Sequence, residues 1–317
     1  MVRIVRLRMP GLSGRPCTIG IRGNHKMTAE RFDDHDHGFA LQQDLHAIER
    51  RLHDRRRMLE WMLSGATAAV IAACGGGSSG SSSSSSSTST SSASSSSSCI
   101  AFPAETNGPY PSDGTNSVNG VVSDILTASG IVRSDIRSSF GSSTTEAAGV
   151  PLTLTITLED TNTSCALLTG YAMYIWHCNR DGEYSLYATD LQNENYLRGV
   201  QVTDGNGQVT FQTIFPACYS GRYPHIHVEV YKTAALATGQ ANAILTTQLA
   251  LPRDICSTVY SGATGYSASV TNLAAVTTAS DGVFDTSTTA ELSAQTPALT
   301  GSVAGGYTGT VTIGVAV

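Results

Sequence analysis

From Val150 to Leu158 the chain alternates without a break: Leu152, Leu154, Ile156 and Leu158 fall on one side, Thr153, Thr155 and Thr157 on the other. A period of two over that length predicts a half-buried strand. Tyr171 to Cys178 predicts a second, fully apolar one. Gly199–Thr203 and Gln208–Ile214 flank Asp204-Gly205-Asn206-Gly207, whose turn chemistry predicts a hairpin. His225–Tyr231, Ile244–Leu251 and Tyr307–Val315 add three more strands, and no stretch carries convincing helical periodicity over more than two turns. The expectation for residues 99–317 is an all-β domain, an antiparallel β-sandwich with long loops.

The chain ahead of that domain is of another kind. Residues 1–73 hold 12 of the 19 Lys+Arg and 8 of the 25 Asp+Glu, about +4, whereas the remaining 244 residues hold 7 and 17, or −10. Five of the eight histidines lie before residue 60, and all 12 tyrosines after residue 100. Arg55-Arg56-Arg57 followed by the small apolar stretch Met62–Ala73 is the pattern of a secretory signal, with the arginines pointing to the twin-arginine route. The stretch ends Ile71-Ala72-Ala73-Cys74, which resembles a bacterial lipobox with Cys74 as the lipidated residue; Met27 is a candidate true start. Residues 75–98 are 24 residues, 17 of them Ser and the rest Gly, Thr or Ala. Such a run buries nothing and stays a coil with a reach of about 27 Å, suited to a tether. The expectation is an exported protein, periplasmic or at the cell surface, held to a membrane by an N-terminal lipid anchor. A net charge of −6 with 14% charged residues argues against a coiled coil and against nucleic acid as a partner. Neither charge nor pattern sets an oligomeric state.

Export permits disulfides, and five cysteines follow the leader: Cys99, Cys165, Cys178, Cys218 and Cys256. Five is odd, so at least one is free. Cys99 and Cys165 flank the first strands and sit in loops, which makes them the candidate bridge.

After the leader only His177, His225 and His227 remain. Within the alternating segment His225–Tyr231, period two puts His225, His227, Glu229 and Tyr231 on one face and Ile226, Val228 and Val230 on the other. Both imidazoles therefore project together, as a bidentate metal site on a strand requires. Tyr184 and Tyr219 stand in the segments Trp176-His177-Cys178-Asn179-Arg180-Asp181-Gly182-Glu183-Tyr184 and Phe215-Pro216-Ala217-Cys218-Tyr219-Ser220-Gly221-Arg222, with Tyr187 and Tyr223 as nearby alternatives. No Cys pair or third well-placed His suggests zinc, and two Tyr with two His favour Fe(III).

The order Trp176…Gly182-x-Tyr184, Leu197-Arg198-Gly199…Asp204…Gly207…Phe211-x-Thr213-Ile214-x-Pro216, Tyr219…Arg222-x-x-His225-x-His227, then Thr247-Gln248, resembles the intradiol ring-cleavage dioxygenases. Thr106-x-Gly108-Pro109-Tyr110 is similar to a motif of that family as well, and the similarity runs over roughly 105–250. It implies a β-sandwich with a non-haem Fe(III) held by Tyr184, Tyr219, His225 and His227, Tyr219 and His227 being axial and Tyr184 and His225 equatorial. It further implies that Arg222 stabilises charge on the bound ring and that Gln248 stands behind the ligands. The substrates would be a catechol-like aromatic and O2, and the product a muconate-type diacid.

The chain departs from the family in its short 220–224 spacer, in Ala217-Cys218 ahead of Tyr219, and in its export signal, so the particular substrate does not follow. Two other readings share these residues. One is an exported binding module that keeps the metal or the fold without turnover. The other is a copper or zinc site built from His177, His225 and His227.

Overall fold

The computed structural model describes residues 99–317. The leader with its arginines and candidate start Met27, the lipobox Cys74 and the Ser-rich run 75–98 lie outside the described residues. In chain order the strands are β1 (Asp113–Val118), β2 (Val121–Asp124), β3 (Pro151–Asp160), β4 (Ala166–Leu167), β5 (Ala172–Trp176), β6 (Arg198–Val202), β7 (Gln208–Ile214), β8 (His225–Tyr231), β9 (Leu245–Ala250), β10 (Ala298–Ser302) and β11 (Gly306–Val315). The helices are α1 (Arg253–Gly262), α2 (Ser267–Ala275) and α3 (Thr289–Ala294).

Two sheets form the sandwich. One runs β10-β11-β3-β4, with β7 also paired to β3; the other runs β6-β5-β8-β9. The alternation of β3 is realised as expected: Leu152, Leu154, Ile156 and Leu158 are buried, and they share a core with Met173 and Ile175 of β5 and with Ile226, Val228 and Val230 of β8. Each such side chain contributes roughly 1.5–3 kcal/mol on burial, so this inter-sheet layer carries most of the driving force.

Three sequence expectations are corrected. The turn at Asp204–Gly207 forms, with Asp204 Oδ1 accepting from the Asn206 and Gln208 amides at 2.8 and 2.9 Å, but it joins no hairpin. β6 pairs with β5 and β7 with β3, so the turn carries the chain from one sheet to the other. Turn chemistry specifies a reversal; which neighbour the next strand finds is set by the apolar faces available to it.

The sandwich is also not wholly antiparallel. β11 lies parallel to β3, from Tyr307 opposite Leu152 to Val315 opposite Asp160.

Finally, α1 and α2 have 10 and 9 residues and exceed two turns. Their buried positions are few, Cys256, Val259 and Tyr260 in α1 and Ser269 and Leu273 in α2, among small polar residues. So thin an apolar stripe yields little period, and it is packing on the sandwich that stabilises them.

Cys99 and Cys165 are joined in a disulfide, as expected, while Cys178, Cys218 and Cys256 are free and buried. Burial pushes the Cys178 and Cys218 thiols up to about 12, which leaves them protonated and unreactive.

Candidate metal centre

The second face of the four-stranded sheet, turned away from the inter-sheet core, is buried as well. Ala172, Tyr174 and Trp176 of β5 and Tyr231 of β8 pack there with Tyr184, Tyr219, Ile125, Leu126 and Ile131. This explains why every residue of β5 and β8 is buried. His225 and His227 project into this outer layer, at 2% and 1% exposure.

Two loops bring the tyrosines to them. Asn179 builds the first: its Oδ1 accepts from the Asp181 and Glu183 amides, both at 2.9 Å, and its carbonyl accepts from the Ala217 amide of the second loop at 3.2 Å. Gly182 between them takes φ +88°, and a Cβ there would stand 3.0 Å from the Cβ of Tyr219. Glycine is therefore required twice, for the left-handed backbone and for the approach of the loops. The second loop is held by α2: the Cys218 amide donates to Ser269 Oγ at 3.0 Å, and Asn272 Nδ2 donates to the Cys218 carbonyl at 2.8 Å.

Four donor atoms converge. Tyr184 Oη lies 3.3 Å from Nε2 of His225 and 3.3 Å from Nε2 of His227; Tyr219 Oη lies 3.3 Å from His225 Nε2; the two Nε2 atoms are 3.1 Å apart. His225 Nδ1 is 2.6 Å from the Tyr223 carbonyl, which only accepts, so Nδ1 carries the proton and Nε2 presents a lone pair. His225 Nε2 thus faces three polar atoms, all farther than the 2.7–2.8 Å typical of a hydroxyl hydrogen bond. The four donors stand close enough together that one cation could be shared among them.

The electrostatics agree. Burial lowers both imidazole pKa values, so both are neutral and able to ligate. Burial, with Tyr219 second, raises the Tyr184 phenol far above its ordinary value, so its ionisation needs a compensating positive charge. Trp176 stacks on His227 at 4.6 Å and 5° and fixes that ring's plane.

Other candidates sort by geometry. His177 does not join the cluster: its Nδ1 donates to the Cys178 carbonyl at 2.8 Å and its Nε2 accepts from Thr213 Oγ1 at 2.7 Å, bridging the two sheets. A three-histidine site with His225 and His227 is therefore not formed. Tyr187 donates to Asn116 Oδ1 and accepts from the Ser112 amide, and Tyr223 packs edge-on against Phe284 within the inter-sheet core.

Arg222 is buried, at 2% exposure; its Nε pairs with Asp281 at 3.0 Å and its Nη2 donates to Gln248 Oε1 at 2.7 Å. Gln248 in turn donates from Nε2 to the Thr106 carbonyl at 2.9 Å. Sequence reasoning assigned no role to three residues that shape the site. Arg198 grips the loop of Tyr184 through Ser185 Oγ at 3.1 Å and the Ser185 carbonyl at 2.9 Å. Tyr110 packs on Tyr184 with ring centres 5.0 Å apart. Asp281 meets Arg222. For Arg198 and Tyr110 the signal was their place inside the resemblance; Asp281 had none.

The β-sandwich thus carries two tyrosines and two histidines that converge in its outer layer. Residues 138–255 match the model of a family described as Dioxygenase. An intradiol ring-cleavage dioxygenase from Tetranychus urticae has a similar structure, with a TM-score of 0.52 and 24% identity over 69% of this chain and 95% of that one. The dioxygenase domain of a dioxygenase carbohydrate-binding protein fusion from Streptomyces sp. SirexAA-E follows at 0.41, 23%, 69% and 99%. Catechol 1,2-dioxygenase from Pseudomonas arvilla C-1 follows at 0.39, 18%, 68% and 62%. No curated protein matches by sequence. The match to the dioxygenase family model thus falls on residues 138–255, and the described domain shares the fold of the Tetranychus urticae enzyme.

Proposed function

We propose that Tyr184, Tyr219, His225 and His227 hold a non-haem Fe(III), and that the protein is an intradiol dioxygenase. It would open a catechol-like ring between the two hydroxylated carbons and place both atoms of O2 in a muconate-type diacid. The observation that carries this reading is the convergence of four oxygen and nitrogen donors at 3.1–3.3 Å in a buried layer. The donor set fits the ion, because phenolates are hard anionic ligands, and neither Cys178 nor a carboxylate is among the four.

When bound between these four side chains, Fe(III) would supply Lewis acidity that withdraws electron density from a catecholate. The chain does the rest. His225, its Nδ1 proton fixed on the Tyr223 carbonyl, keeps a lone pair on Nε2. Tyr219 Oη accepts the catechol proton, and Tyr184, touching both imidazoles, remains the permanent anionic ligand. The Arg222 guanidinium balances charge on the bound ring, and Gln248 orients it. The apolar wall of Trp176, Tyr174 and Tyr184 excludes water. The proposal extends to the N-terminus: export through Arg55-Arg56-Arg57 and lipidation at Cys74 would leave the domain on a Ser-rich tether at the membrane.

The test is the purified protein's metal content, visible spectrum and product. One iron per chain, a red-brown tyrosinate absorption and a ring-opened diacid from catechol with O2 uptake are expected. Iron and colour without cleavage of any catechol would favour a binding module instead, and a colourless protein holding copper or zinc would reject the iron site.

A further inference from the structure

We propose that Asp281 is the positioning residue for Arg222, delivered by a C-terminal segment that lies beyond the part of the chain matched by the dioxygenase family. This inference rests on the role given to Arg222 above. Both side chains are buried, Arg222 at 2% and Asp281 at 0%. The guanidinium is gripped on two sides: Nε by Asp281 Oδ2 at 3.0 Å, and Nη2 by Gln248 Oε1 at 2.7 Å. Two contacts on different nitrogens fix both the position and the plane of a planar group. Gln248 is itself anchored on the Thr106 carbonyl at 2.9 Å. Asp281 is anchored through Oδ1, which accepts from the Val283 and Phe284 amides at 2.9 and 3.2 Å.

The same carboxylate also reaches the ligand strand. Oδ2 accepts from the Tyr223 amide at 2.6 Å, and the Tyr223 carbonyl on the next peptide receives His225 Nδ1 at 2.6 Å. Phe284 presses edge-on against the Tyr223 ring at 6.2 Å and 86°, locking the segment onto the loop between Tyr219 and His225. That loop is only five residues long, 220–224, so it has little structure of its own to hold Arg222 in place. The 277–284 segment supplies the missing support from 59 residues away.

The experiment is a double-mutant cycle on the iron-loaded full chain with Asp281→Asn, Arg222→Met and the pair. It reads the binding of a nitrocatechol by its absorbance change, then kcat and KM for catechol, iron content and the resting spectrum. Asp281→Asn is expected to keep iron and the tyrosinate absorption while weakening nitrocatechol binding or turnover about tenfold. In the Arg222→Met background the same substitution is expected to change neither by more than about twofold, because the group it positions is gone. Asp281→Glu keeps the buried pair neutral and moves the carboxylate by one methylene; it is expected to repeat the pattern, and it serves where the asparagine variant does not fold. Equal losses in both backgrounds, or loss of stability with no change in binding or turnover, would overturn the inference. A wild-type protein that binds iron but no nitrocatechol would instead overturn the functional reading, and this inference with it.

Discussion

The two tyrosines offer the same chemistry from unequal positions. Tyr184 Oη touches both imidazoles and its ring is wedged between Tyr110 and Tyr219, at 5.0 and 6.0 Å, whereas Tyr219 Oη meets His225 from a loop tip. Tyr184→Phe is expected to lose most of its iron and its colour with catechol bound. Tyr219→Phe is expected to keep iron yet bind catechol roughly 10–100-fold more slowly, having lost the base that takes the proton. Stopped-flow absorbance on both variants checks this, and a reversed order would exchange the two roles. His177 makes a separate residue-scale prediction. Burial lowers its pKa from 6.5 to about 4. Between those values the unfolded chain binds a proton that the folded one refuses, so stability falls as pH drops from 6.5 toward 4 and is fully present above 6.5. Denaturation midpoints measured across that window should slope less in His177→Gln than in the parent; equal slopes would mean that other groups govern the acid limb.

At the scale of elements, the site depends on one rigid strand and two loops that must meet. β8 holds both imidazoles because residues two apart on a strand share a face. The loops meet at Gly182 and Tyr219, where neither a side chain nor an ordinary backbone conformation fits. Gly182→Ala is expected to cost about 1–2 kcal/mol in unfolding free energy from the left-handed backbone. It should also lower iron occupancy, because Tyr184 and Tyr219 are pushed apart. Unfolding and metal analysis of the variant check both halves, and unchanged occupancy would mean that the loops adjust independently. The helices act on the same scale: Ser269 and Asn272 of α2 hold the peptide just before Tyr219, so an element with only a thin apolar stripe helps to place the Tyr219 side chain.

For the molecule as a whole, the Cys99–Cys165 bridge ties the start of the described domain to the loop after β3 across 66 residues. Closing a loop of that length is worth about 4 kcal/mol in the chain-entropy account. The Cys99→Ser, Cys165→Ser double variant should therefore unfold at lower denaturant with its tyrosinate absorption unchanged, since neither residue touches the donor cluster. Loss of colour together with stability would tie the bridge to the site. The proposed tether makes the other whole-molecule prediction. Cys74→Ser should move the protein from the membrane fraction to the soluble fraction or block its processing, and a parent protein found wholly soluble would remove the anchor from the proposal.

By itself the sequence determined the strand of β3, the face shared by His225 and His227, the turn at Asp204–Gly207 and the resemblance that singled out Tyr184, Tyr219 and Arg222. These are legible because they rest on neighbours two to a few residues apart, where periodicity and turn chemistry act. Only the tertiary structure decided that β6 and β7 part into different sheets, that β11 runs parallel to β3, and that the histidine face is roofed by a second layer instead of facing water. It alone turned His177 toward Thr213 and brought Asp281 to Arg222. Such pairings join residues tens of positions apart. What selects them is the complementarity of buried surfaces and the cost of leaving a charge such as that of Arg222 unpaired inside the protein, and no local pattern along the chain records either one.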